Sequence, residues 1–256
     1  MERKFRLPSI SQELLRLVSK TLIVSIFLWI VLATDFRWWS IILFFGSVLV
    51  VYITQIAERN LLRSSFWFFP LITVIGFWVI TRNIAFSLSS PYISMFFIGL
   101  FLLFFFAFFL LIGISHFFFK DRFIIYGVFN TAVLLASFVV FFILFERSLF
   151  WIFPFFVIVL LLFRESLYFF DVQFKRRIGV TSAVVAFLTS ELLLVTKFMP
   201  LGILNGSIFL ALFFLLLRDS LIAHFQGNLT KKLLLRQVTI FVLLTLIIFA
   251  VSKWSL

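Results

Sequence analysis

The sequence predicts an all-α fold: a polytopic bundle of about nine transmembrane helices, N-terminus cytoplasmic and C-terminus outside. Three observations predict it. Hydrophobic residues make up 64% of the 256 residues and charged residues only 12%, against about half and about a quarter in a soluble domain. Apolar runs recur along the whole chain, and about 17–25 such residues cross a bilayer as a helix. The third is the placement of the basic residues, which fall between the runs and mainly on alternate connections. A transmembrane β-barrel would alternate apolar and polar residues. Runs such as "FIGLFLLFFFAFFLLIG" show no alternation.

The spans fall at roughly 21–34, 39–57, 65–81, 93–115, 123–145, 149–163, 179–196, 201–217 and 238–252. The longest connection, 218–237, is too short for a soluble domain, so residues 1–256 read as a single integral membrane domain. The fifth and sixth spans must turn around Glu146–Arg147 without a Gly or Asn, and Pro154 is placed to open the sixth, since Pro is tolerated in a first turn. Gly227 reads as a helix end and Thr230 as the cap of the last helix. "RSSFWFFP" (63–70) resembles "RSLFWIFP" (147–154). That offset of three spans would suit an inverted repeat, but Trp and Phe beside Arg are also ordinary interface chemistry.

Seventeen Lys and Arg lie on the N-terminal side and five, Arg37, Arg82, Arg147, Lys197 and Lys253, on the other. Cytoplasmic connections carry the positive excess, which gives the orientation. In a soluble protein the net charge of +12 would suggest nucleic acid; here it implies anionic lipid head groups as partners and no nucleic acid. Lys175, Arg176 and Arg177, then Lys231, Lys232 and Arg236, are the expected cytoplasmic head-group contacts. Residues 1–20 form a basic amphipathic segment, with Ser9 and Gln12 at capping-box spacing and Ile10, Leu14, Leu17 and Val18 on one face. It is expected to lie on the inner membrane surface before span one; a signal peptide cleaved near 31–33 is the alternative.

Membrane helices pack through small residues. Span seven has Gly179 and Ala183, then Ser182, Ala186 and Ser190; span five has Ala132 and Ala136; span eight has Gly202, Gly206 and Ala211. Spans five, seven and eight are therefore expected to form the packed core, with span four facing lipid. Phe is extreme, 43 of 256, and reads as filler for lipid-facing positions.

One residue breaks the apolar pattern. Glu191 is twelve residues past Gly179, about 18 Å along a helix at about 1.5 Å per residue, in an apolar slab of about 30 Å. An acid near the centre costs about 2.5–3.5 kcal/mol on the insertion scale. Such residues usually face the bundle and mark an ion or proton path. Asn130 and Asn205 are candidate partners, and Ser182, Thr189 and Thr196, seven apart, form a hydroxyl stripe. At about 100° per residue Glu191 lies about 160° from Thr189. Polar groups on two opposite faces suggest an enclosed helix.

The inner connections bring together Arg164, Glu165, Asp171, Arg218, Asp219 and His224. They could hold a phosphorylated lipid head group with His224 or an acid as catalyst, or simply obey the positive-inside rule. His116 and His224 have no metal-ligand spacing, there is no cysteine, and no nucleotide-binding or nucleophile-elbow motif occurs. No metal and no cofactor are expected.

"SELLLVTKFMPLG", followed by "HFQGNLTKK", resembles segments of uncharacterised multispanning membrane proteins of bacteria with small genomes. The resemblance covers the last quarter of the chain. It implies that the Glu191 hairpin is a feature of that group, and it brings no activity with it. The expectation is a non-enzymatic protein of a bacterial inner membrane. It would either pack with other membrane proteins or pass a small solute by way of Glu191. A cytoplasmic-face membrane enzyme acting on phosphorylated lipid head groups is the alternative.

Overall fold

The computed structural model describes residues 10–55, 63–84, 91–114, 121–170, 175–199 and 201–252. Nine α-helices lie among them: α1 (Ile10–Ala33), α2 (Trp38–Gln55), α3 (Arg63–Ile84), α4 (Pro91–Ile114), α5 (Arg122–Arg147), α6 (Ile152–Phe169), α7 (Lys175–Lys197), α8 (Ile203–Phe225) and α9 (Lys231–Val251). Eight are long and apolar enough to cross a membrane, by length and composition; α2 is apolar but shorter. Ser9, Arg59, His116, Lys120, Asp171 and Lys253 lie outside the described residues, as do the side chains of Glu146, Arg147, Lys175 and Arg176.

The chain divides into two compact units. The first comprises Met1–Asn60 and Ile80–Tyr126. Here α1 packs against α2 and α4. Leu17, Val24, Leu28 and Val31 make the inward stripe of α1, and Phe44 and Val48 of α2 and Phe104, Phe108 and Leu111 of α4 are likewise fully or almost fully buried. Phe44 and Phe104 meet at 6.2 Å between ring centroids, and Phe104 stacks on Phe108. Met95, Phe96, Ile98, Leu102, Leu103 and Phe106 of α4 are exposed, as its composition suggests, while its last turn, with Ile112 and Ile114, is buried. From Ile10 onward the basic N-terminal segment is the first part of α1, with Leu14 exposed and Leu17 buried; residues 1–9 lie outside the described residues.

The α1–α2 turn is tight. The Phe36 N–H donates to Val31 O and the Asp35 N–H to Leu32 O, the paired bonds of a Schellman end. Asp35 and Phe36 take φ of 52° and 57°, where Gly is usual. The Thr34 hydroxyl donates to Ser40 Oγ, whose own hydroxyl donates to Arg37 O, which pins the turn to the start of α2.

The second unit comprises Leu61–Val79 and Gly127–Leu256. Its core is a chain of rings across α5, α6 and α8. Phe138 meets Phe155 at 5.6 Å and Phe214 at 6.1 Å, Phe141 meets Phe155 at 5.6 Å, and Phe163 meets Phe214 at 5.5 Å. Edge-on aromatic pairs add about 0.5–1.5 kcal/mol each beyond their contact area. The Phe excess is therefore not simply lipid-facing filler: many of these rings are the core. The Ala132–Ala136 pair of α5 faces outward, while Val133, Leu134, Ser137, Phe138 and Phe141 face in. Interlocking rings hold α5, so it needs no close backbone approach. It is also the most buried candidate span, at 61% against 39% for α7.

Small residues are buried on both α7 and α8. Ser182, Ala186 and Ser190 are buried on α7, as are Gly206, Ser207 and Ala211 on α8. A Cβ at Gly206 would stand 2.8 Å from the Phe142 ring and 3.2 Å from the Thr196 methyl, so any larger residue must displace that ring. Among the described helices α6 and α7 pack together most extensively; the sequence does not single out α6.

The α5–α6 connection turns without Gly. Ser148 is extended and its hydroxyl accepts from the Phe150 N–H, starting a 3-10 turn (Leu149–Trp151) that runs into α6 with Pro154 in its first turn. After α8, Gly227 takes φ +71° and closes a second Schellman end with Asn228 N–H to Ala223 O. Thr230 then caps α9, accepting from the Leu233 N–H at 3.2 Å. Helix α9 is peripheral. It touches α8 through Phe209–Phe241 and Phe209–Phe249, and it is tied by Ser220–Gln237 near one end and Asn205–Ser252 at the other.

Candidate functional site

The first turn of any helix leaves N–H groups without helical partners, and where they are buried they need an acceptor inside the protein. At the start of α3 those groups belong to Ser64 and Ser65. The Glu165 carboxylate, four residues before the end of α6, accepts both: Ser64 N–H at 2.5 Å and Ser65 N–H at 2.8 Å on one oxygen. The Ser65 hydroxyl donates to its other oxygen. Glu165 is 7% exposed. A carboxylate against a helix N-terminus is also favoured by the helix dipole. Glu165 thus clamps α3 to α6.

Two further helix ends are met the same way. The Lys197 ammonium, at the end of α7, donates to Phe145 O in the last turn of α5 at 3.3 Å and lies 4.9 Å from the Phe145 ring centroid. A cation at a helix C-terminus is the complement of an acid at an N-terminus. The Gln226 amide donates to Phe170 O, just past α6, at 3.3 Å. Arg218 is 8% exposed and bridges α8 to α5: Nη1 donates to Thr131 Oγ1 at 3.2 Å, while Nε pairs with Asp219 at 2.9 Å.

The hydroxyl stripe is fully buried, as its spacing suggests, but each hydroxyl donates within its own helix: Ser182 to Ile178 O, Thr189 to Val185 O and Thr196 to Leu192 O, at 2.6–2.7 Å. Asn130 is fully buried on α5. Asn205 donates to Ser252 Oγ at 3.0 Å, so it ties α8 to α9 and does not serve Glu191.

Glu191 is the main correction. It is exposed, on a face with Val180, Val184, Phe187, Leu188 and Val195. The angular reading holds, because acid and hydroxyl stripe point in opposite directions. The inference that both faces are enclosed fails. Helix α7 turns its Ile178–Ser182–Val185–Thr189–Thr196 side to the bundle and leaves the other side bare. Among the described residues Glu191 has no hydrogen-bond or ion-pair partner.

The inner-connection group divides. Glu165 and Arg218 are buried, while Arg164 is exposed over the Tyr168 ring at 5.6 Å and His224 is exposed. Arg177, Lys231, Lys232 and Arg236 are all exposed. Among the described residues no His, Asp and Glu cluster could hold a metal ion. The first unit holds a cavity of ≈ 530 Å³ lined by Trp29, Phe97, Phe101 and their apolar neighbours, with Thr81 as its polar residue. It brings no acid or base to one point.

The fold and its polar groups describe an apolar helical bundle compatible with a multi-pass integral membrane protein. In comparisons with protein-family models, curated proteins and solved structures, nothing matches the chain.

Proposed function

We propose that this chain is a non-enzymatic, multi-pass protein of a bacterial inner membrane that works by packing with other membrane proteins. One observation carries the reading: the polar groups of the bundle serve architecture. Glu165, Lys197 and Gln226 each end on a helix terminus, Arg218 joins two helices, and the hydroxyls bond their own backbones. A permease built on Glu191 needs that acid on an internal path, and its exposure argues against one. The head-group enzyme is not favoured either, since Asp219 is held by Arg218, Glu165 is buried and engaged by the start of α3, and His224 is exposed.

The charge asymmetry supports nine crossings with the N-terminus inside and the C-terminus outside. Helix α2 has 18 residues, about 27 Å at about 1.5 Å per residue, close to the slab thickness of about 30 Å. The absence of cysteine makes labelling direct. A thiol reagent that cannot cross membranes should reach F198C from outside and N228C only after the membrane is opened. Taken out in native lipid discs, the chain should come out with other membrane proteins, so that the protein mass per disc exceeds the 30.1 kDa of one chain. A lone monomer whose vesicles show pH-dependent flux, lost in Glu191→Gln, would replace this reading with transport.

A further inference from the structure

We infer that the outward face of α7 is the docking surface for a transmembrane helix of another protein, one that carries a Lys or Arg at the depth of Glu191. The inference rests on the assembly reading above and names its surface. The face is continuous: Gly179, Ala183, Phe187, Glu191 and Val195 follow one ridge at four-residue steps, flanked by Val184 and Leu188. At its start a Cβ built on Gly179 meets no atom of a neighbouring element within 4 Å. Small residues there let a second backbone come close.

Glu191 sets the chemistry. It stands six residues before Lys197, the last residue of α7, about 9 Å at about 1.5 Å per residue. Helical Cα–Cβ bonds tilt toward the N-terminus, so the carboxylate leans toward the middle of α7 and away from its nearer end. Reaching water at that end is therefore hard. The chain's own nearby cation is engaged, because Lys197 is held on the Phe145 carbonyl and ring. A second copy sharing a two-fold axis along the membrane normal would set Glu191 against Glu191, and like charges oppose each other. A basic side chain on a different helix supplies the opposite charge and the donors that a carboxylate lacks.

The test uses the full chain in lipid vesicles and a Leu-rich membrane-spanning peptide with one Lys six residues from its end. An all-Leu peptide is the control. Binding is read by energy transfer between labels. The wild-type chain should bind the Lys peptide at least tenfold more tightly than the control, and Glu191→Gln and Glu191→Leu should each remove the preference. Gly179→Phe should weaken binding of the Lys peptide, while the helical content of all variants stays unchanged. Equal binding of both peptides by a wild-type chain that still runs in a heavier assembly overturns the docking face but leaves the assembly reading. Equal binding by a chain that is a monomer in native discs overturns both. A V195C variant that cross-links to itself, with the dimer lost on Glu191→Leu, makes a second copy the occupant and overturns the proposal.

Discussion

Glu165 and Glu191 are both acids within apolar helices, and they behave in opposite ways. Glu165 lies one turn from the end of α6 and is buried, holding the first turn of α3 through two backbone N–H groups and a hydroxyl. Glu191 lies deeper along its helix and is bare. The difference teaches that depth along a helix does not decide enclosure. What decides it is whether a neighbour offers complementary groups. A helix start carries unsatisfied donors and draws an acid in. The face of α7 at Glu191 meets no such partner among the described residues.

This contrast can be broken by mutation. The largest effect is expected for Glu165→Leu, which leaves two N–H groups and a hydroxyl without acceptors. Each orphaned buried group costs about 1–3 kcal/mol, so the unfolding midpoint in detergent should fall steeply, by more than for any other change named here. Glu165→Gln keeps an acceptor oxygen and should recover part of the loss.

Gly206→Ala comes next. The new methyl meets the Phe142 ring, and overpacking costs about 1–3 kcal/mol. Because the clash is with the far end of a side chain, Phe142→Leu should restore much of the stability. Lys197→Met removes the cation from the end of α5, a change worth about 1 kcal/mol. Faster hydrogen exchange in the last turn of α5 would report it. The smallest effect belongs to Ser182→Ala. Its hydroxyl bonds only its own helix, and such back-bonding slightly destabilises helices. No measurable loss is expected; a large one would mean that the stripe makes contacts across helices.

Much of the fold was legible. Apolar runs locate the nine described helices to within a few residues at most ends, because each helix carries one such run. Gly227, Thr230 and Pro154 punctuate the chain by local chemistry alone. Errors came where the answer depends on which helices are neighbours. Ala132 and Ala136 suggested a close-packed α5, but large rings fill the space on its other side. Phe looked like lipid filler because composition cannot tell an inward ring from an outward one. In the sequence Glu165 belongs with an inner polar group. Its true partner, a Ser-Ser pair about a hundred residues earlier, requires knowing that α3 starts beside the end of α6. The two serines after Arg63 were the available signal, since Ser is favoured at helix starts and a buried start needs an acceptor.

The central claim is that one acid holds the bundle and the other faces out from it. Measuring thermal unfolding of Glu165→Leu and Glu191→Leu side by side, as monomers in the same detergent, tests it most directly. The account predicts opposite results: a large loss for Glu165→Leu, and unchanged or higher stability for Glu191→Leu. A loss at Glu191 as large as at Glu165 would contradict it, because the carboxylate would then be held inside the chain.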